Sequence, residues 1–288
     1  MSTINKVLVI GAGAMGSQIA MVAAAAGYRT AVQDVSADML AQAQTQLAAR
    51  MQAKVDKGSL SREDADAALD RLEFTVSLPD AAADADFVIE AATEKLDIKR
   101  SIFAALDAAA PPHAILATNS STLGSSAVAS ATGRPEQVCN MHFFNPALVM
   151  KCVEVVRHPG TSQETVDTAL DLARSLGKSP VLINREIPGF VANRLMGALR
   201  DEALRLYADG VADFRDIDTA AKTALNHPMG PFELMDLVGL DVSCLIRQAT
   251  FDQTGDPADL PHPLLKDLYD QGRFGRKTGQ GWYSYDTH

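Results

Sequence analysis

Lys6-Val7-Leu8-Val9-Ile10-Gly11-Ala12-Gly13-Ala14-Met15-Gly16 is the stretch from which the rest of the chain is read. Lys6–Ile10 has the near-continuous apolar character of a strand covered on both faces, as in a parallel sheet. Ala14 to Ala26 is small and apolar and stops at Gly27, a helix-ending residue. Between strand and helix lies G-x-G-x-x-G. Gly11 permits a tight turn, Gly13 lets backbone approach a pyrophosphate, and Gly16 allows close helix–strand packing. The following helix N-terminus, beginning at Ala14 and Met15, presents free N–H groups and a positive dipole end to phosphate. Thr30-Ala31-Val32-Gln33 predicts a second strand that delivers Asp34, roughly 20 residues after Gly11. A carboxylate there accepts from a ribose 2′-hydroxyl and repels a 2′-phosphate. Val35 and Ser36 follow, with no Arg or Lys, so the pattern points to NAD rather than NADP.

Working outward, Ser36 is an N-cap for a long helix toward Lys57-Gly58, and Ser61 with Asp64 starts another. Phe87–Glu90, Ala114–Ala117 and Val138–His142 are further strand candidates. Leu96–Ala109 and the stretch around Ser125–Ala131 are helix candidates. This alternation predicts an α/β, doubly wound Rossmann-type sheet. After Pro188 it gives way to helices at Val191–Ala208, Phe214–Leu225, Pro231–Thr250 and Leu264–Tyr269, with one strand-like aromatic run at Trp282–Tyr285. The expected division is residues 1–187, Rossmann-type, and 188–288, an all-helical C-terminal domain. A length of 288 residues suits about two domains.

Lys plus Arg number 26 against 36 Asp plus Glu, a net charge of -10, which argues against general nucleic-acid binding. No run approaches the roughly 20 apolar residues of a membrane span. Cys139, Cys152 and Cys244 form no CxxC pair or zinc spacing, and the first residues run straight into a strand. A reduced, cytoplasmic chain without a metal is expected.

Chemistry enters at Asn140-Met141-His142-Phe143-Phe144-Asn145-Pro146 and Lys151-Cys152-Val153-Glu154-Val155-Val156. If these runs pair as a hairpin around Leu148, His142 stands opposite Glu154. A Glu within an apolar strand needs a partner, and an imidazole is a suitable one. The carboxylate would fix the tautomer and stabilise imidazolium as it forms, the arrangement of a general base. A buried pair that only holds the hairpin is the plainer possibility. Thr118-Asn119-Ser120-Ser121-Thr122 follows a strand and belongs at the carboxyl edge of the sheet, where α/β domains bind ligands. Asn193 lies on the first helix after Pro188-Gly189-Phe190. Glu90, Glu94 and Lys99 surround the start of a helix.

GAGAMG, Asp34, IEAATEKLDIK, TNSSTL, MHFFNPALVMKCVEVV, PGFVANRL, HPMGPFELMDLVGLD and GRFGRKTGQGWYSY occur in one order that resembles the L-3-hydroxyacyl-CoA dehydrogenases, and more narrowly the bacterial single-function 3-hydroxybutyryl-CoA dehydrogenases. The resemblance spans nearly the whole chain. It implies an NAD-binding Rossmann-type domain, a helical C-terminal domain, reversible oxidation of the 3-hydroxyl of an acyl-CoA, and a homodimer joined through the helical domains. It implies His142 as general base, Glu154 as its orienting carboxylate, Ser121 and Asn193 near the substrate oxygen, and Asn145 beside the histidine. Gly11, Gly13, Ala14, Met15, Gly16, Asp34, Glu94, Lys99, Asn119, Ser121 and Asn145 fall on the cofactor side. Lys54 and Lys57 resemble the basic residues that meet CoA phosphates. Leu148 stands where family members commonly have Pro, adding bulk that bears on acyl specificity.

A dehydrogenase of a free 3-hydroxy acid or sugar acid is an alternative, as is a non-catalytic NAD-binding or structural protein. Free-acid β-hydroxyacid dehydrogenases typically use a Lys base on the interdomain helix, and Gly189 to Met196 contains no Lys. Arg273, Arg276 and Lys277 could form a phosphate patch, but Trp282, Tyr283 and Tyr285 favour a tail packed by its aromatics.

Overall fold

In the computed structural model, which describes residues 4–285, β1 (Lys6–Ile10) is an inner strand of an eight-stranded sheet. The first residues of the N-terminal reading and the last three of the C-terminal segment lie outside the described residues. The first unit continues with α1 (Ala14–Ala25), β2 (Arg29–Gln33), α2 (Ala37–Asp56), α3 (Arg62–Asp70), β3 (Leu72–Thr75), α4 (Leu78–Ala82), β4 (Phe87–Glu90) and α5 (Leu96–Ala109). Then come β5 (Ile115–Thr118), α6 (Ser126–Ala129), β6 (Val138–Phe143), β7 (Cys152–Val156), α7 (Gln163–Ser175) and β8 (Ser179–Ile183). Strand order is β3-β2-β1-β4-β5-β6-β7-β8. β1 to β6 pair in parallel, β7 is antiparallel to β6, and β8 is parallel to β7.

The sheet is covered on both faces because β1 alternates between two cores. Val7 and Val9 join a cluster with Ile19, Val32, Ile89 and Met141, while Leu8 and Ile10 join one with Val88, Phe103, Leu116 and Val138. The chain leaves β1 on one side toward β2 and returns on the other as β4. That reversal opens a crevice at the carboxyl ends of the strands. Ser36 and Ser61 cap α2 and α3, accepting from Met39 N at 3.3 Å and Asp64 N at 3.0 Å.

Four elements of the first unit go beyond the pattern read from sequence: β3, α4, α7 and β8. β3 and β8 are the sheet's two outer strands: Leu72–Thr75 is short and mostly half-buried, and the apolar run Pro180–Ile183 leaves Val181 and Leu182 exposed while Ile183 is buried. Pro180 within β8 fits an edge position, where a missing N–H is tolerated.

The chain divides into two compact units between Phe190 and Val191. The second holds α8 (Ala192–Ala208), α9 (Phe214–Ala224), α10 (Pro231–Val238), α11 (Leu240–Thr254) and α12 (Pro263–Asp270). The single helix expected over Pro231–Thr250 is two, broken at Gly239, whose φ is +105°. Trp282–Tyr285 is not a strand: an isolated bridge joins Gln280 and Ser284, and Trp282 and Tyr283 pack on Tyr207, Phe214 and Phe232. Two buried carboxylates hold this tail. Asp236 accepts from Trp282 N, Tyr283 N and the Tyr285 hydroxyl, and Asp218 accepts from the Tyr283 hydroxyl at 2.8 Å. Arg273 donates to the Gly281 carbonyl, Lys277 pairs with Asp241 at 2.6 Å, and Arg276 lies 5.5 Å from the Tyr285 ring, so the basic residues serve the packing. Among the described residues no helix is long and apolar enough to cross a membrane.

Candidate active site

The carboxyl edge of the sheet collects the chemistry. At Gly11, φ is +100°, and a Cβ would lie 2.7 Å from Ala92 Cα, so both the turn and the close approach of β4's exit require glycine. A Cβ on Gly16 would run into the Gly11 carbonyl oxygen. Gly13 faces open space and caps α1 without a side-chain bond, and the first turn of α1 carries no acid. Asp34 braces this loop: its Oδ2 accepts from Ala12 N at 2.8 Å and its Oδ1 from Ser36 N at 2.9 Å. A carboxylate offers about four acceptor sites, so capacity remains for a ribose hydroxyl. An uncapped helix N-terminus, a glycine cradle that side chains would fill, and an acid at the β2 end fit NAD.

Beneath the next strand ends, Lys99 departs from the expectation of a cofactor contact. It is 1 % exposed, its Nζ lies 2.6 Å from Glu90 Oε2 and 3.2 Å from Thr118 Oγ1, and Glu90 is fully buried. The ammonium is engaged inside the protein by a carboxylate that also accepts from Thr118 Oγ1 and Ala92 N. Lys99 therefore braces the loops after β4 and β5. Glu94 is exposed and accepts from the Ser120 hydroxyl.

Residues 119–125 form a loop tied down at several points. Asn119 Oδ1 accepts from Phe143 N at 2.8 Å, locking the loop to the end of β6. Ser120, 1 % exposed, accepts from Thr122 N and Leu123 N. Asn140, fully buried on β6, accepts from Ser125 N at 2.7 Å and donates to the carbonyls of Ser120 and Leu123. Glu186, shortly before the second unit, accepts from Ser125 Oγ and Ser126 N. This leaves Ser121 half-buried on a fixed loop. Asn140 and Glu186 are additions to the residues read from sequence. A polar residue within the apolar run Val138–Phe143 was the signal for the first, whereas Glu186 carries no local signal.

The hairpin expected around Leu148 forms, and β6 and β7 pair His142 directly with Glu154. His142 Nδ1 lies 2.8 Å from Glu154 Oε2, with the two residues 6 % and 1 % exposed. The imidazole sits among aromatic rings, Phe144 at 4.5 Å and Phe190 at 5.8 Å between centroids. Asn145 is exposed in the loop that follows. Lys178 secures that loop by donating to the Ala147 and Met150 carbonyls. Leu148 packs against the buried clusters that include Met21, Leu47 and Met51, so its bulk joins the core. Burial and the Glu154 charge push the Cys152 thiol up, and burial pushes Cys139 up to about 12, so both stay thiols near neutrality.

Lys54 is half-buried in the last turn of α2, and Lys57 is the exposed residue at its end. Lys178 is held below the usual lysine range by burial and by the charges of Lys151 and Lys54, which places three ammonium groups in one neighbourhood of the first unit. Asn193 is half-buried in the first turn of α8, in the second unit.

Known proteins resemble this chain along nearly its whole length. Residues 6–187 match the description "3-hydroxyacyl-CoA dehydrogenase, NAD binding domain", and residues 189–285 match "3-hydroxyacyl-CoA dehydrogenase, C-terminal domain". The chain is 40% identical to the mitochondrial hydroxyacyl-coenzyme A dehydrogenase of Homo sapiens, over 98% of this chain and 91% of that protein. It is 38% identical to a probable 3-hydroxybutyryl-CoA dehydrogenase of Bacillus subtilis, over 98% of each. The crystal structure of (S)-3-hydroxybutyryl-CoA dehydrogenase PaaH1 from Ralstonia eutropha superposes with a TM-score of 0.90 at 34% identity, covering 99% of this chain and all of that one. The chain therefore belongs to the 3-hydroxyacyl-CoA dehydrogenase family of NAD-dependent oxidoreductases.

Proposed function

We propose that this protein reversibly oxidises the 3-hydroxyl of an L-3-hydroxyacyl-CoA, of the 3-hydroxybutyryl type, to the 3-ketone. The observation that carries this reading is the buried 2.8 Å pairing of His142 Nδ1 with Glu154 at the edge that also bears the glycine loop. Bound NAD supplies the hydride acceptor. Glu154 keeps the Nδ1–H tautomer of His142, so Nε2 retains the lone pair that takes the hydroxyl proton. The same carboxylate offsets the positive charge that develops on the ring. In reduction His142 returns the proton from Nε2. Ser121 and Asn193 hold the substrate oxygen, and Asn145 borders the histidine. Gly11, Gly13, Ala14, Met15, Gly16 and Asp34 hold the dinucleotide, with Glu94 and Asn119 on its nicotinamide side and Lys99 bracing the loops behind it. Lys54 and Lys57 meet the CoA phosphates.

Residues 1–187 then serve cofactor and proton transfer, and 188–288 serve substrate binding and subunit pairing. The second unit exposes Leu195 (67%), Leu225 (60%) and Ile246 (58%), large apolar side chains suited to a homodimer contact. Three free cysteines, Cys139, Cys152 and Cys244, suit a reducing cytoplasm. The deciding experiment compares NADH oxidation with acetoacetyl-CoA and with free acetoacetate. Turnover of the thioester alone is expected. Equal or faster turnover of the free acid would transfer the assignment to a hydroxy-acid dehydrogenase, and no turnover of either would favour a non-catalytic NAD-binding role.

A further inference from the structure

Phe190 combines features that core packing alone does not require. Its φ is +43°, in the left-handed region that bulky residues rarely adopt, directly after Gly189 at φ +74°. It is 1 % exposed, within a small cluster with Val156 and Ile183 at the ends of β7 and β8. Its ring lies 5.8 Å from the His142 imidazole, inclined at 59°. The chain enters the second unit at the next residue. Strained backbone persists where surroundings hold a side chain in a required place, and it concentrates at functional sites.

The hydrogen bond from Nδ1 to Glu154 fixes one point of the imidazole. It does not by itself fix the plane of the ring, which can swing about that bond and carry Nε2 away from its target. A lateral contact is needed to stop the swing. Phe144, at 4.5 Å, is half-buried at the open end of β6, whereas Phe190 is the fully enclosed ring beside the histidine. We propose that Phe190 is a positioning residue for His142: its ring fixes the imidazole plane so that Nε2 stays aimed at the substrate oxygen. The strained backbone at Gly189-Phe190 is what delivers that ring. This inference rests on His142 acting as the base.

The test is steady-state kinetics with acetoacetyl-CoA and NADH. Phe190→Leu keeps apolar bulk and removes the ring, and Phe190→Met fills the same space with an unbranched chain should the Leu variant fold poorly. Both are expected to lower kcat by about 10- to 100-fold, since displacing a reacting group by an ångström costs about that much. KM for NADH should stay within about twofold, because the glycine loop is untouched. Ile183→Val, which thins the same cluster and leaves both rings in place, should keep kcat within about twofold. The proposal is overturned if the Phe190 variants keep wild-type kcat, or if Ile183→Val loses as much as they do. A His142→Gln variant run alongside separates the two levels: full activity there would refute the base itself, whereas a dead His142→Gln with active Phe190 variants refutes only the positioning role.

Discussion

Replacing Glu154 by Gln isolates the contribution of one buried charge. The side chain keeps its shape at a position 1 % exposed, 2.8 Å from His142 Nδ1, so the hairpin register should survive. The amide can face the ring in two ways. With its NH2 toward Nδ1 it donates, the ring proton moves to Nε2, and the nitrogen that must accept a proton is blocked. With its oxygen toward Nδ1 the tautomer is right, but no charge offsets the imidazolium. Loss of an orienting carboxylate in such a dyad reaches about 10⁴-fold in kcat when the wrong tautomer dominates. Allowing for a mixture of the two amide orientations, kcat should fall by about 10³-fold, equivalent to about 4 kcal/mol of barrier. Steady-state reduction of NAD by 3-hydroxybutyryl-CoA measures this, the direction in which Nε2 must accept the proton, with NADH affinity from fluorescence titration expected within about twofold of wild type. Glu154→Asp keeps the charge on a shorter arm and should fall in between. If Glu154→Gln retains more than a tenth of the wild-type kcat, the carboxylate does not set the tautomer and the dyad is merely a hairpin brace.

Three further outcomes follow from the same contacts. Asp34→Ala should weaken NAD binding and raise the relative use of NADP, since the change removes both a ribose acceptor and the charge that repels a 2′-phosphate; an unchanged cofactor ratio would take Asp34 out of that role. Lys99→Met leaves the Glu90 charge in a fully buried site, so the first unit should lose about 3–5 kcal/mol in denaturant unfolding, and a Glu90→Gln, Lys99→Met double variant should recover much of it. A double variant no more stable than Lys99→Met would show the pair is not coupled. Burial and the bond to Asp236 push the Tyr285 phenol up to about 12, against about 10 in an unfolded chain. A raised folded value means the stabilisation is complete below pH 10 and is lost as pH rises through 12. Thermal melts should fall across that window in wild type and less steeply in Tyr285→Phe; parallel curves would refute the assignment.

The legible parts of the fold were those where one physical demand dominates the residues. Lys6–Gly16 satisfies burial on two faces and a tight phosphate turn at once, so strand, loop and helix follow from it. The His142–Glu154 pairing was legible because a carboxylate inside Cys152–Val156 has few tolerable partners and the hairpin offers a histidine at the right register. The outer strand β3 was not, because Leu72–Thr75 is short and mixed in character, and β8 was not because Pro180 breaks the strand pattern at the head of its apolar run. α7 did carry a signal, with Ser162 as N-cap and Val166, Ala169, Leu172 and Ala173 buried at helical spacing, and it completes a strand–helix–strand unit with β7 and the parallel β8. Lys99 shows a different limit: its motif position suggests a ligand contact, while the partner that claims it, Glu90, is a neighbour in space from the strand before.

Turnover of acetoacetyl-CoA by His142→Gln, measured beside its affinity for NADH, tests the central claim most directly. Removing a positioned general base should lower kcat by about 10²–10⁴-fold and leave NADH binding within about twofold of wild type. Near-normal turnover by a folded His142→Gln protein would contradict the account, because the proton would then not pass through Nε2 of His142.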